Sequence, residues 1–196
     1  MSLWKVLTGR WGSGAGEVDE VRIDASTNSL QVVDYAHHEI HAGSTFRVQA
    51  NDTAASLTIA FKVPAGTKYP HFICEWSAAS TGYIQLLEGV TITASTGTDT
   101  LIKNSNRNSA STSILQGYST GAWVANYVTV GPTITGGTVI SDKRFYADDK
   151  TGGMTGARRA EIVLADDTEY ALEFTSTDGS QGIQLRCEWY EHTDKH

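Results

Sequence analysis

Two cysteines in 196 residues, Cys74 and Cys187, are too few for a disulfide framework or a four-thiolate zinc site. Both sit inside apolar runs beside tryptophan, so they read as buried free thiols. Charge is also scarce. Asp, Glu, Lys and Arg make up 19% of the chain and apolar residues 40%, both below the averages of soluble domains. What charge there is leaves a formal net of −7, which repels phosphate backbones and argues against free nucleic acid as a partner. No apolar run approaches the ~20 residues that cross a bilayer, and the N-terminus has no charged segment followed by an apolar one. The expectation is a chain made in a cytoplasm, with no membrane partner. Sustained helical periodicity is missing as well. So are a Gly-x-Ser-x-Gly elbow and a glycine-rich phosphate loop.

The composition has moved into Ser, Thr, Asn and Gly, with Val, Ile and Tyr beside them, a mixture that favours strands. Ten strand-like runs stand out: 30–34, 45–50, 56–63, 69–76, 83–93, 124–130, 133–140, 160–164, 169–175 and 183–190. Turn chemistry separates them at Asn51-Asp52, Pro64-Ala-Gly66, Thr96-Gly97, Gly131-Pro132, Asp166-Asp167 and Asp178-Gly179. Several runs alternate. Leu57, Ile59, Phe61 and Val63 share one face, as do Tyr170, Leu172 and Phe174. Short alternating strands with frequent turns predict an all-β, antiparallel, jelly-roll-like β-sandwich over residues 30–196. Residues 1–29 read as a flexible N-terminal arm, with a joint at Gly12-Ser-Gly-Ala-Gly16 and with Trp4 and Trp11 as anchors that dock on a partner or fold back on the sheet. Residues 94–123 and 141–159 read as long polar loops. Phe72-Ile-Cys74-Glu-Trp76 and Leu185-Arg-Cys187-Glu-Trp189 echo one another. Each strand would bury Cys and Trp and expose Glu, as equivalent members of the two halves of a double sheet.

The densest cluster of chemistry-bearing residues is Tyr35-Ala-His37-His38-Glu39-Ile40-His41. It lacks the His-Glu-x-x-His spacing of the helical zinc motif. On a strand, His37, Glu39 and His41 would share a face and form a weak metal candidate, although no other histidine-rich segment completes it. A polar hydrogen-bonded cluster is the simpler reading, and the chain is expected to hold no metal and no other cofactor. Asp148-Asp149 and Asp166-Asp167 read as turn formers and not as a catalytic pair. Tyr118, Trp123 and Tyr127 follow the first polar loop and serve either as core or as sugar-stacking rings. No catalytic residue is assigned.

The run Val33-Asp-Tyr-Ala-His37-His38-Glu39-Ile40-His41-Ala-Gly43-Ser-Thr-Phe46 resembles a segment of a group of virion structural proteins of tailed bacteriophages. Pro64-Ala-Gly-Thr67, Asn104-Ser-Asn-Arg107-Asn108-Ser109, Thr168-Glu-Tyr170-Ala-Leu172-Glu-Phe and Glu188-Trp189-Tyr190-Glu191-His192-Thr193 resemble further stretches, so the likeness covers residues from about 30 to the end. The resemblance implies residence in a virion and no reaction. The expected role is a capsid decoration or cement protein, a homotrimer whose partners are the major capsid protein or other virion proteins. Under that role His37, His38 and His41 would be interface residues, as would Trp4 and Trp11 of the arm, which lies outside the resemblance. A tail-associated glycan-binding module and a cupin-type metal enzyme are the alternatives.

Overall fold

The computed structural model describes residues 35–78, 80–146, 152–153, 161–179 and 182–193. The expected arm with Trp4 and Trp11, the run 30–34 and Asp148-Asp149 lie outside the described residues. Contacts divide the chain into two units, 1–38 and 39–196, and the sandwich lies within the second. In chain order the elements are α1 (Tyr35–Ala42), β1 (Thr45–Asp52), β2 (Ser56–Val63), β3 (Lys68–Ala78), β4 (Gly82–Ile92), β5 (Thr98–Leu101), β6 (Lys103–Asn104), β7 (Gln116–Gly117), β8 (Val124–Ala125), β9 (Tyr127–Val130), β10 (Ile134–Phe145), β11 (Gly152–Gly153), β12 (Ile162–Val163), β13 (Thr168–Ser176) and β14 (Ile183–Thr193).

Among the described residues all strand pairs are antiparallel, and they form two sheets. The first runs β11-β3-β14-β1-β6, with β12 also on β3. The second runs β10-β4-β13-β2-β7-β8, with β9 on β2 and β5 on β9. The first four strands alternate between sheets, as do β12, β13 and β14, so each of those connections steps from one layer to the other, whereas β7 to β10 follow one another within the second sheet. The long strands obey period two. In β2, Leu57, Ile59, Phe61 and Val63 are buried, and in β13, Tyr170, Leu172 and Phe174 are fully buried.

Aromatic rings fill the space between the layers. On the first sheet, Trp189 lies 6.3 Å from Phe46 and 6.1 Å from Phe72. Phe72 meets Phe61 of the second sheet at 5.5 Å, and Phe61 stacks on Tyr170 at 5.9 Å. A second chain of rings crosses the gap from Trp76 to Phe145 at 4.4 Å and on to Phe174 at 4.8 Å. Each of these side chains contributes roughly 1.5–3 kcal/mol by burial, with more from ring–ring geometry. Tyr170 keeps its hydroxyl satisfied by donating to Glu88 at 2.7 Å and accepting from the Ala165 N–H at 2.9 Å. Burial first, then the bond to Glu88, pushes its pKa well up.

Four expectations change. The segment expected as a loop from residue 94 to 123 contributes β5, β6 and β7, and buries Ile102 and Leu115. The segment expected as a loop from 141 continues β10 to Phe145, whose ring is 1% exposed. A β-bulge between Val139 and Ser141 shifts the register and breaks the alternation that marks a strand. The run 124–130 is split by Asn126 at φ 67°, a left-handed position that asparagine tolerates. Finally, the two Cys-Glu-Trp strands are neighbours in one sheet. β3 and β14 pair directly, with Cys74 opposite Cys187. They are not counterparts in opposite halves, because the echo follows one shared inner face.

Phe145→Ala should lower unfolding free energy by about 3–5 kcal/mol, since it empties a ring-lined site. Val139→Ala on the same strand, with Val139 45% exposed, should change it by about 0.5 kcal/mol or less. Urea denaturation of both variants checks this; equal effects would mean that Phe145 is not in the core.

Candidate functional site

The histidine segment is helical. Tyr35–Ala42 forms one short helix, closed by Gly43 at φ +76°, whose N–H bonds to the Ile40 carbonyl at 3.0 Å while the Ser44 N–H bonds to the Glu39 carbonyl at 3.1 Å. The metal candidate at His37, Glu39 and His41 depended on a strand, and the segment is not one. Two positions apart on a helix is about 200° around its axis, so that spacing no longer converges. Glu39 turns inward, 7% exposed, and accepts from the Ser44 hydroxyl; His41 is exposed. Among the described residues no group of three metal-ligating side chains converges. The side chains of His37 and His38 lie outside the described residues.

The Asn-rich run comes to this helix end. Asn104 Nδ2 donates to the Gly43 carbonyl at 2.8 Å and to the Ser111 carbonyl at 3.1 Å. Asn106 Nδ2 donates to the His41 carbonyl at 3.2 Å. Their side-chain oxygens accept from the chain two residues on, Asn104 from the Asn106 N–H at 2.8 Å and Asn106 from the Asn108 N–H at 3.1 Å. These are consecutive Asx turns, a polar scaffold that asparagine builds without a sheet. Gly43 is required twice. Its backbone is left-handed, and a Cβ there would sit 2.3 Å from Ser109 Oγ.

The next turn of the same segment is pinned by a buried carboxylate. Glu191 continues the inward alternation of Leu185, Cys187 and Trp189, and is 3% exposed. Ser113 Oγ donates to it at 2.5 Å, Trp189 Nε1 at 2.9 Å and the Ile114 N–H to both oxygens at 3.1 Å. Burial raises its pKa above the ordinary carboxylate value; the bonds from Ser113, Trp189 and Ile114 and the charge of Lys68 work in the opposite direction without cancelling it. Sequence reading missed this residue, although an acidic side chain at the next inward position of an apolar strand was the signal.

A second cluster was also missed. With Cys74 opposite Cys187, the register places Tyr190 opposite His71 and His192 opposite Tyr69 on the outer face of the first sheet. The His71 ring lies 4.5 Å from Tyr190 and 4.4 Å from His192. His71 Nδ1 meets Glu161 Oε1, to which the Tyr190 hydroxyl also donates at 2.5 Å. These three β-strand rings form a compact stacked surface, built from two histidines that looked isolated in sequence.

Tyr118 and Trp123 stack on one another at 4.4 Å and pack on Ala60, Leu87, Val90, Ile92 and Ala171, with Lys62 Nζ 5.7 Å above the Trp123 ring. They cover the outer face of the second sheet as a small apolar core. Asp166-Asp167 is a turn, with Asp167 at φ 46° paired to Lys62 at 2.7 Å. Cys74 and Cys187 are buried free thiols with their sulfurs 3.8 Å apart. The bond from Cys187, then burial, holds the Cys74 thiol well above its ordinary pKa. No protein-family model, curated protein or solved structure matches the chain.

Glu191→Gln should cost about 1–3 kcal/mol, because an NH2 group replaces an acceptor among three donors. The native state binds the Glu191 proton more tightly than the unfolded chain, so its contribution to stability falls as pH rises through the elevated pKa. The stability gap between wild type and Glu191→Gln should therefore narrow as pH rises from the ordinary carboxylate value; a gap that widens would mean that the hydrogen bonds outweigh burial. A second expectation concerns the thiols. Alkylation of the folded protein should modify neither cysteine, and alkylation after denaturation without reductant should modify both, as mass spectrometry would show.

Proposed function

We propose that this chain is a structural protein of a tailed-phage virion, a decoration or cement protein that stabilises the head shell as a homotrimer. The observation that carries the reading is the junction at the end of α1. The two segments on which the phage resemblance most depends are 61 and 65 positions apart at their points of contact, and Asn104 and Asn106 bond them into one feature. Segments that share a resemblance and also share a surface fit a protein whose role is to present that surface to neighbours. The alternation of successive strands between two sheets fits a jelly roll, a fold that serves well as a shell component.

The inner faces are occupied by Phe46, Phe61, Phe72, Trp76, Phe145, Tyr170, Phe174 and Trp189. A cupin-type enzyme would need polar ligands and space for substrate there, so this reading is the less favoured. Trp123 and Tyr118 are used in covering Ala60 and Ala171, which weakens the sugar-stacking reading of these two rings. His41, exposed beside the junction, is the described histidine best placed to meet a neighbour.

The test is sedimentation of phage particles followed by quantitative mass spectrometry and imaging. A head decoration protein should travel with DNA-filled particles at copy numbers on the order of hundreds, on the shell symmetry axes. A few copies at the tail would replace the decoration role with a tail role. A chain left wholly in the soluble fraction would overturn the virion reading.

A further inference from the structure

One cleft is basic in a chain that is acidic overall. It opens where the chain crosses from the second sheet to the first, between β5 and β6, with Ile102 buried at the crossing and its N–H bonded to the Asn126 carbonyl at 3.0 Å. Its volume is about 340 Å³, and it is lined by Arg47, Val48, Gln49, Thr100, Leu101, Lys103 and Arg186. Register explains the convergence. Arg47 is opposite Lys103 on one side and Glu188 on the other, and Gln49 is opposite Arg186, so all five point from the outer face of the first sheet. The Glu188 carboxylate is taken by Arg186 at 2.9 Å, and Glu75 lies 3.8 Å from the same guanidinium. Arg186 is thus compensated, while among the described residues Arg47 and Lys103 have no carboxylate within ion-pair distance. Two free cations held side by side on adjacent strands cost like-charge repulsion, which an anion between them would relieve.

We propose that this cleft binds a small polyhydroxylated acid, an acidic sugar residue whose carboxylate sits between Arg47 and Lys103. The planar guanidinium presents a fork matched to a carboxylate, and Lys103 adds a point charge. Gln49 and Thr100 supply groups that both donate and accept, as ring hydroxyls require, and Leu101, 48% exposed, offers an apolar wall for a sugar face. The volume suits one or two saccharide units. A long polyanion is disfavoured by the net charge of −7. The site is independent of the virion reading and stands or falls separately from it.

The probes are glucuronate, glucose and inorganic sulfate, titrated into the full chain by NMR at low salt. Glucuronate should shift the amides of Arg47, Leu101 and Lys103 with a dissociation constant in roughly the millimolar range, and glucose should bind at least tenfold more weakly. Arg47→Gln and Lys103→Gln should each weaken glucuronate binding by about tenfold or more without lowering the melting temperature, because both side chains are exposed and each substitution relieves the repulsion between them. Sulfate binding as tight as glucuronate would overturn the saccharide and leave only an anion site. No shift with glucuronate up to tens of millimolar, on the order of the weakest specific affinities, or shifts that survive both substitutions, would overturn the proposal.

Discussion

The pairing of β3 with β14 is the constraint from which most of the molecule follows. It runs from Lys68 opposite Thr193 to Ala78 opposite Ile183 and is the centre of the first sheet. A shift by one residue would move Phe72, Cys74, Trp76, Leu185, Cys187 and Trp189 from the interior to solvent, so burial of those six side chains fixes the register. The same register stacks His71 with Tyr190 and His192 on the outer face and carries Glu191 inward, where it ties down the segment around Ser113. One set of hydrogen bonds therefore determines the core, the outer ring cluster and the anchor of the longest connection.

The polar segment between β4 and β9 shows how a chain with few apolar residues can still be ordered. Ile102 and Leu115 are the apolar pegs. Between them the fold relies on Asx turns at Asn104 and Asn106, on Asn126 accepting from the Ser113 N–H at 3.1 Å, and on the buried Glu191 carboxylate. Asp99 does the same farther on, accepting from Ser119 N–H at 3.1 Å and Thr129 Oγ1 at 2.8 Å. Buried polar groups are tolerated here because nearly every one has its partner. The result is a surface feature that is stiff without being a sheet, a suitable platform for contact with neighbouring subunits under the proposed virion role.

Much of the sandwich could be read from residue order, because period two is a local property. The inward sets of β2 and β13 follow from their sequences alone, and the turns at Asp52, Gly131, Asp167 and Asp178 follow from residues that bend backbone cheaply. Where the period was interrupted, the reading failed. The bulge near Ser141 hid the second half of β10, and Asn126 divided a run that looked continuous. The helix at Tyr35–Ala42 was not legible because eight residues cannot establish a period, while the need for glycine at its end comes from Ser109, a residue far along the chain whose side chain leaves no room for a Cβ at Gly43.

The sequence by itself determined the class of fold, the faces of the regular strands and the burial of both cysteines, since each depends on neighbours within a few positions. Tertiary structure decided which strands lie side by side. That choice turned the Cys-Glu-Trp echo into a cross-strand pair, brought Asn104 and Asn106 to the end of α1, and set Arg47 and Lys103 against one another around a cleft. The physical reason is range. Alternation and turn propensity act over two to four residues, whereas register is selected by the burial of whole faces, and no single segment carries that information.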